Sequence, residues 1–222
     1  MDESAWLRCT KRPDMMLAEQ RYCAGPRKLR LTACGIARLV WDALPEQRIR
    51  DLVALSERFA DGQVSRDELE QARIAVSWRD GERVCPCCVW DYTARQPDIS
   101  AVKFTITGVT RLITRSDPSA YEPTVRRICD LVREIYGNPY QRRTPVPPAV
   151  FVHSDGAIPE LARSIYHDRL PNGTFDLQRM ALLADALEDA GCNDMDLLSH
   201  LRSPGMHVQG CWAVDRLLKM PR

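Results

Sequence analysis

Apolar side chains recur along much of this chain at steps of three and four, the spacing that gathers them on one face of an α-helix. The clearest series runs from Leu29 through Ala33, Ile36, Ala37, Val40 and Trp41 to Leu44. Pro26 suits the first turn of this helix, where a missing N–H costs nothing, and Pro45 blocks its continuation. A second helix uses Ile49, Leu52, Val53 and Phe59 and stops at Asp61-Gly62. Ser65 and Glu68 then have the spacing of a capping box, which restarts the chain as a helix through about Ser77.

Residues 79–98 break the pattern with Arg79-Asp80-Gly81, a cysteine cluster and Pro97. From 99 to 115 two periods compete. Ile99, Val102, Ile106, Val109 and Ile113 step as a helix, whereas Val102 to Thr107 alternates and carries the β-branched residues that favour strands. The longer period covers more of the segment and predicts a helix. Pro123 opens an amphipathic helix holding Val125, Ile128, Leu131, Val132 and Ile135, closed by Gly137-Asn138-Pro139. Residues 141–156, with Pro145, Pro147 and Pro148, read as an extended connector. Beyond it, helices are expected over about Pro159–Asp168 and Asp176–Ala190, the latter ended by Gly191 in a left-handed cap. Asn193 is placed to N-cap a short helix with Leu197, Leu198 and Leu201, and Trp212, Val214, Leu217 and Leu218 imply a last one.

The expected fold is therefore mainly α, an orthogonal bundle or irregular stack of roughly eight or nine amphipathic helices, with a small β or irregular insert around 80–122. The expected organisation is an N-terminal helical region over 1–140 containing that insert, the connector at 141–156, and a C-terminal helical region over 157–222 packed on the first.

Composition narrows the class without naming an activity. In 222 residues, 45% are hydrophobic and 27% charged, enough for a real core. The 31 basic and 30 acidic side chains are balanced in both halves of the chain. Neither half has the excess positive charge that phosphate binding calls for, so no specific nucleic-acid signal is present. No apolar run is long enough to cross a bilayer of roughly 30 Å. The acidic start at Met1-Asp2-Glu3 lacks the basic-then-apolar order of a secretory signal, and the expectation is a cytoplasmic protein. Nine cysteines, an odd number in a chain of this size, then point to free thiols or metal ligands rather than a disulfide framework. Cys34 and Cys129 fall in helical apolar patterns, where cysteine acts as a small hydrophobe.

Two groups of residues could carry chemistry. Cys85 and Cys88 stand in CxxC spacing, as in thiol oxidoreductases, but the polar run Arg79–Arg83 before them makes a poor buried strand. Cys192, His200, His207 and Cys211 lie within twenty residues as C-x7-H-x6-H-x3-C. Two thiolates and two imidazoles make a tetrahedral zinc set, although the close pairs of zinc fingers are missing. The alternative for these four is that both cysteines pack in the core while the histidines bond backbone carbonyls near helix ends. The stretch 57–68 superficially resembles a calcium loop, but Phe59 would occupy an oxygen-ligand position, which excludes it. No phosphate loop, nucleophile elbow, dinucleotide fingerprint or H-E-x-x-H motif is present. Glu188-Asp189, Asp185 and Asp215 look like solvated helix residues rather than a general acid–base pair.

Several runs also carry a resemblance: Leu182–Cys192, then His200-Leu201-Arg202, Pro204-Gly205, and His207-Val208-Gln209-Gly210-Cys211-Trp212 with Asp215. Ala5-Trp6-Leu7, Arg27–Leu31, Glu57–Gly62 and Arg133–Pro139 extend it over most of the chain. Together they resemble a large uncharacterised family of helical proteins abundant in planctomycete-type bacteria. Residues 80–122 depart most from that family, whose members are alanine-rich and helical there. The resemblance implies a helical bacterial protein and brings no activity with it. The leading expectation is a non-catalytic module that binds a protein partner. The alternatives are a structural or catalytic zinc protein using Cys192, His200, His207 and Cys211, and a thiol redox protein using Cys85 and Cys88.

Overall fold

A computed structural model of the chain describes residues 1–20, 25–44, 47–75 and 99–221. They divide into two units, Met1–Asn138 and Pro139–Pro221. Among the described residues the fold is mainly α, and the only strand-like pairing is an isolated bridge between Thr174 and Val208. No described helix is long and apolar enough to cross a membrane.

The first unit contains α1 (Glu3–Arg8), α2 (Pro13–Glu19), α3 (Pro26–Arg38), α4 (Gln47–Ala60), α5 (Arg66–Ala75), α6 (Ile99–Ser116) and α7 (Tyr121–Tyr136). Helix α3 lies at its centre, packed against α4, α6 and α7. Every residue from Arg27 to Ala37 is buried. A helix enclosed on all sides is normally apolar throughout, yet this one carries Arg27, Lys28, Arg30 and Arg38. Taking those charges out of water is costly unless each finds a partner. Arg27 Nε donates to Asp61 Oδ1 at 2.8 Å, and Lys28 Nζ donates to the Ile135 carbonyl at 3.1 Å. The Arg30 guanidinium lies 4.7 Å from the centre of the Phe59 ring. Arg38 grips Glu57 through both carboxylate oxygens, at 2.5 and 2.7 Å, and stacks on Trp41. Burial works against the Arg38 charge, but the bond and charge of Glu57 outweigh it, so its pKa stands above the ordinary guanidinium value.

Helix α3 stops at Arg38, earlier than the apolar series through Leu44 suggests. The Leu39 N–H is shared between the Gly35 and Ile36 carbonyls and the Val40 N–H bonds Ala37, so the ladder tightens into a 3-10 turn at Trp41–Ala43. Val40 and Leu44 are still buried, which is why the pattern outlasts the helix. The Ser65–Glu68 capping box forms as expected: Glu68 N–H donates to Ser65 Oγ at 3.2 Å and Ser65 N–H to Glu68 Oε2 at 2.7 Å.

The ambiguous segment 99–115 is helical throughout. Thr105, Thr107, Thr110 and Thr114 each donate a hydroxyl to the carbonyl four residues back, so the threonines are satisfied inside the helix. Val102, Thr105, Val109 and Thr110 form its buried stripe. The β or irregular insert expected at 80–122 is thus corrected from residue 99 onward, and its earlier part lies outside the described residues.

The second unit contains α8 (Pro148–Val152), α9 (Ala157–His167), α10 (Leu177–Asp189), α11 (Met195–Leu201) and α12 (Trp212–Leu217). The connector expected at 141–156 is non-helical only as far as Pro147. Pro148 begins α8, using the helical position where proline is tolerated, and a 3-10 turn follows at His153–Gly156. Helices α9 to α12 enclose a core that includes Ile158, Ile165, Leu183, Leu187, Leu197 and Val214. Helix α10 ends in a Schellman cap. Gly191 adopts φ +81°, its N–H bonds the Glu188 carbonyl, and the Cys192 N–H reaches back to Leu187, both at 2.9 Å.

Two substitutions test the central packing. Glu57→Ala leaves the Arg38 charge buried without its carboxylate and should cost about 3–5 kcal/mol in urea unfolding. Gly35→Val drives a side chain into Leu131, whose methyl carbons lie 3.0 Å from where even a Cβ would sit. Overpacking of this kind should cost about 1–3 kcal/mol, and an unchanged urea midpoint would contradict the close approach of α3 and α7.

Candidate metal centre

Three of the four residues singled out in the C-terminal sequence come together. One ligand atom from each of His200, His207 and Cys211 lies within 4.8 Å of the others. His200 occupies the last turn of α11, Cys211 is the residue preceding α12, and His207 lies in the loop between them.

The local sequence explains this convergence. Asp194 caps α11 by accepting from the Leu197 N–H at 3.1 Å, and its other oxygen takes Arg216 Nη1 of α12 at 2.7 Å. This pair is largely shielded from water. It ties the beginning of α11 to α12 and so orients the helix that carries His200. The expected cap, Asn193, is exposed and one residue too early, because Cys192 is still engaged in closing α10. The loop is pinned separately, by the Phe175 N–H on the His207 carbonyl at 2.8 Å. Gly210 at φ +91° then turns the chain into Cys211, whose N–H bonds the Val208 carbonyl at 2.9 Å.

The side-chain geometry is compact. His200 Nε2 and Cys211 Sγ are 3.3 Å apart. The two imidazoles meet edge to face with centroids 5.0 Å apart. His200 also packs on the Trp212 ring at 4.9 Å, whose indole carries the Arg143 guanidinium at 4.9 Å. His207 is 1% exposed and Cys211 is fully buried, while His200 is half-buried. His207 Nε2 lies 3.2 Å from the Ser203 carbonyl. The Ser203 hydroxyl lies 3.3 Å from the same nitrogen, so one residue fixes the ring orientation through Nε2. Metal-binding histidines are commonly oriented in this way.

Cys192 is not part of the cluster. As the second residue past the end of α10 it is set in the core by the Schellman cap, 3% exposed, at a position that favours an apolar contact with the preceding helix. The four-residue set expected from the sequence is corrected to three. The alternative expectation holds in part: both cysteines are core residues and His207 does bond a backbone carbonyl. The acidic residues behave as a solvated face, with Arg202 bridging Asp185 at 2.7 Å and Glu188 at 2.5 Å. Asp215 differs from that expectation in being buried. Cys85 and Cys88 lie outside the described residues. The large exposed apolar side chains belong to many elements, among them Leu7 in α1, Phe104 in α6, Val152 in α8 and Met195 in α11.

Comparison with family models, with curated proteins and with solved structures finds no match for this chain. The arrangement of these side chains is therefore what a functional reading has to rest on.

The Asp194–Arg216 link should matter to the site and to stability together. Asp194→Ala removes a cap, typically worth about 1 kcal/mol, and one half of a shielded ion pair as well. A loss clearly above that single-cap value is expected in thermal or urea unfolding, and a loss near zero would show that α11 is oriented by other contacts.

Proposed function

We propose that this chain is a zinc-binding protein whose C-terminal unit holds the ion with His200, His207 and Cys211. One observation carries the reading: donor atoms from three separate local elements lie within 4.8 Å of one another, in a region otherwise made of core side chains. Two imidazoles and a thiolate form a borderline-soft donor set that suits zinc better than magnesium or calcium. With Zn–N near 2.0 Å and Zn–S near 2.3 Å, tetrahedral ligands sit roughly 3.3–3.7 Å apart, and the 3.3 Å between His200 and Cys211 meets that requirement. The same distance also suits an N–H···S hydrogen bond, so metal content is the decisive quantity.

The ion would join the end of α11, the 202–211 loop and the start of α12. Three cross-linked points in so short a stretch would add to the apolar core around them as a source of local order. A four-coordinate ion leaves one position to a donor outside these three residues.

Untagged protein purified without chelator should contain close to one zinc per chain. Cys211→Ser and His207→Ala should each bring this below about 0.2 per chain, and chelation of the wild type should lower its unfolding temperature. Cobalt(II) in place of zinc should give a thiolate-to-metal charge-transfer band that Cys211→Ser abolishes. Wild-type protein with less than about 0.2 zinc per chain, unable to take up cobalt, would refute the proposal.

A further inference from the structure

Ser203 touches both histidines of the centre. It is the second residue past the end of α11, and its N–H bonds the His200 carbonyl at 3.1 Å. Its carbonyl and its hydroxyl lie 3.2 and 3.3 Å from His207 Nε2. Pro204 and Gly205 then carry the chain round to His207. The His207 backbone is held at the far side of this turn by the Phe175 N–H, and its ring is 1% exposed.

We propose that Ser203 is the positioning residue of the centre, holding His207 by Nε2 so that the ion meets Nδ1 of His207 and Nε2 of His200. This assignment rests on the zinc reading above. A neutral imidazole that gives one nitrogen to a metal keeps its proton on the other. The Ser203 carbonyl can only accept, and the hydroxyl is able to accept, so both oxygens suit a proton on Nε2 once the ion is in place. An ion bound at Nε2 would instead have to displace both of them. His200 presents the opposite nitrogen, because its Nε2 is the atom 3.3 Å from Cys211 Sγ.

The two modes differ in reach. Nδ1 lies beside the ring carbon that joins the backbone, whereas Nε2 lies at the far end of the ring. His207 therefore brings the ion close to the 202–211 loop, and His200 reaches it from α11. An asparagine oxygen stands about as far from the backbone as Nδ1, and a glutamine oxygen about as far as Nε2.

Full-length protein carrying nitrogen-15 histidine is loaded with zinc, and long-range proton–nitrogen correlation reads which ring nitrogen bears the proton. The expected result is Nε2 for His207 and Nδ1 for His200, assigned from the signals lost in His207→Asn and His200→Gln. Ser203→Ala should weaken zinc binding about tenfold, and Ser203→Thr should restore it. His207→Asn should bind zinc more tightly than His207→Gln, and the order should reverse at His200. Zinc bound with the His207 proton on Nδ1, or an affinity unchanged in Ser203→Ala, would overturn the role given to Ser203 and leave the zinc reading standing. Wild-type protein that takes up no zinc would end both.

Discussion

A polar group taken out of water must meet a partner, and that constraint organises both units of this protein. In the first unit it falls on α3, enclosed along eleven consecutive residues from Arg27 to Ala37 although its sequence is rich in positive charge. Three of its four cations are matched from α4 or the residue that follows it: Asp61, Phe59 and Glu57. The fourth, Lys28, uses a carbonyl at the end of α7. Such pairs contribute less net stability than an apolar core of equal size, but they penalise any other alignment of the helices heavily. The ladder of contacts thus sets how α3 and α4 align, while Gly35 sets how closely α7 may approach.

In the second unit the same constraint acts on imidazole and thiol groups. Caps and one ion pair bring α11 and α12 to fixed positions, and the loop between them delivers His207 with its Nε2 committed to a carbonyl. The outcome is a small group of soft donors within an apolar core. Their closeness follows from backbone features, the Schellman turn at Gly191 and the turn at Gly210, rather than from any attraction among the side chains.

Local chemistry was the most legible part of the sequence. The Ser65–Glu68 box and the left-handed Gly191 are features of four to six consecutive residues, and the chain realises them as their spacing suggests. Helix α6 was harder, because threonine is penalised in a helix until its hydroxyl is known to bond back along the ladder. Of the four candidate ligands named from the sequence, three come together in the structure. Cys192 was included because it is near in sequence, whereas the cap that buries it depends on which side of Gly191 it falls. The Asp194–Arg216 link was not foreseen, since two charges twenty-two positions apart leave no periodic trace.

The most direct test of the metal-centre account is X-ray absorption at the zinc edge on the metal-loaded protein. The account predicts one sulfur neighbour at about 2.3 Å together with imidazole nitrogens at about 2.0 Å, and loss of the sulfur shell in Cys211→Ser. A shell of oxygen alone, or two sulfurs about the ion, would contradict it.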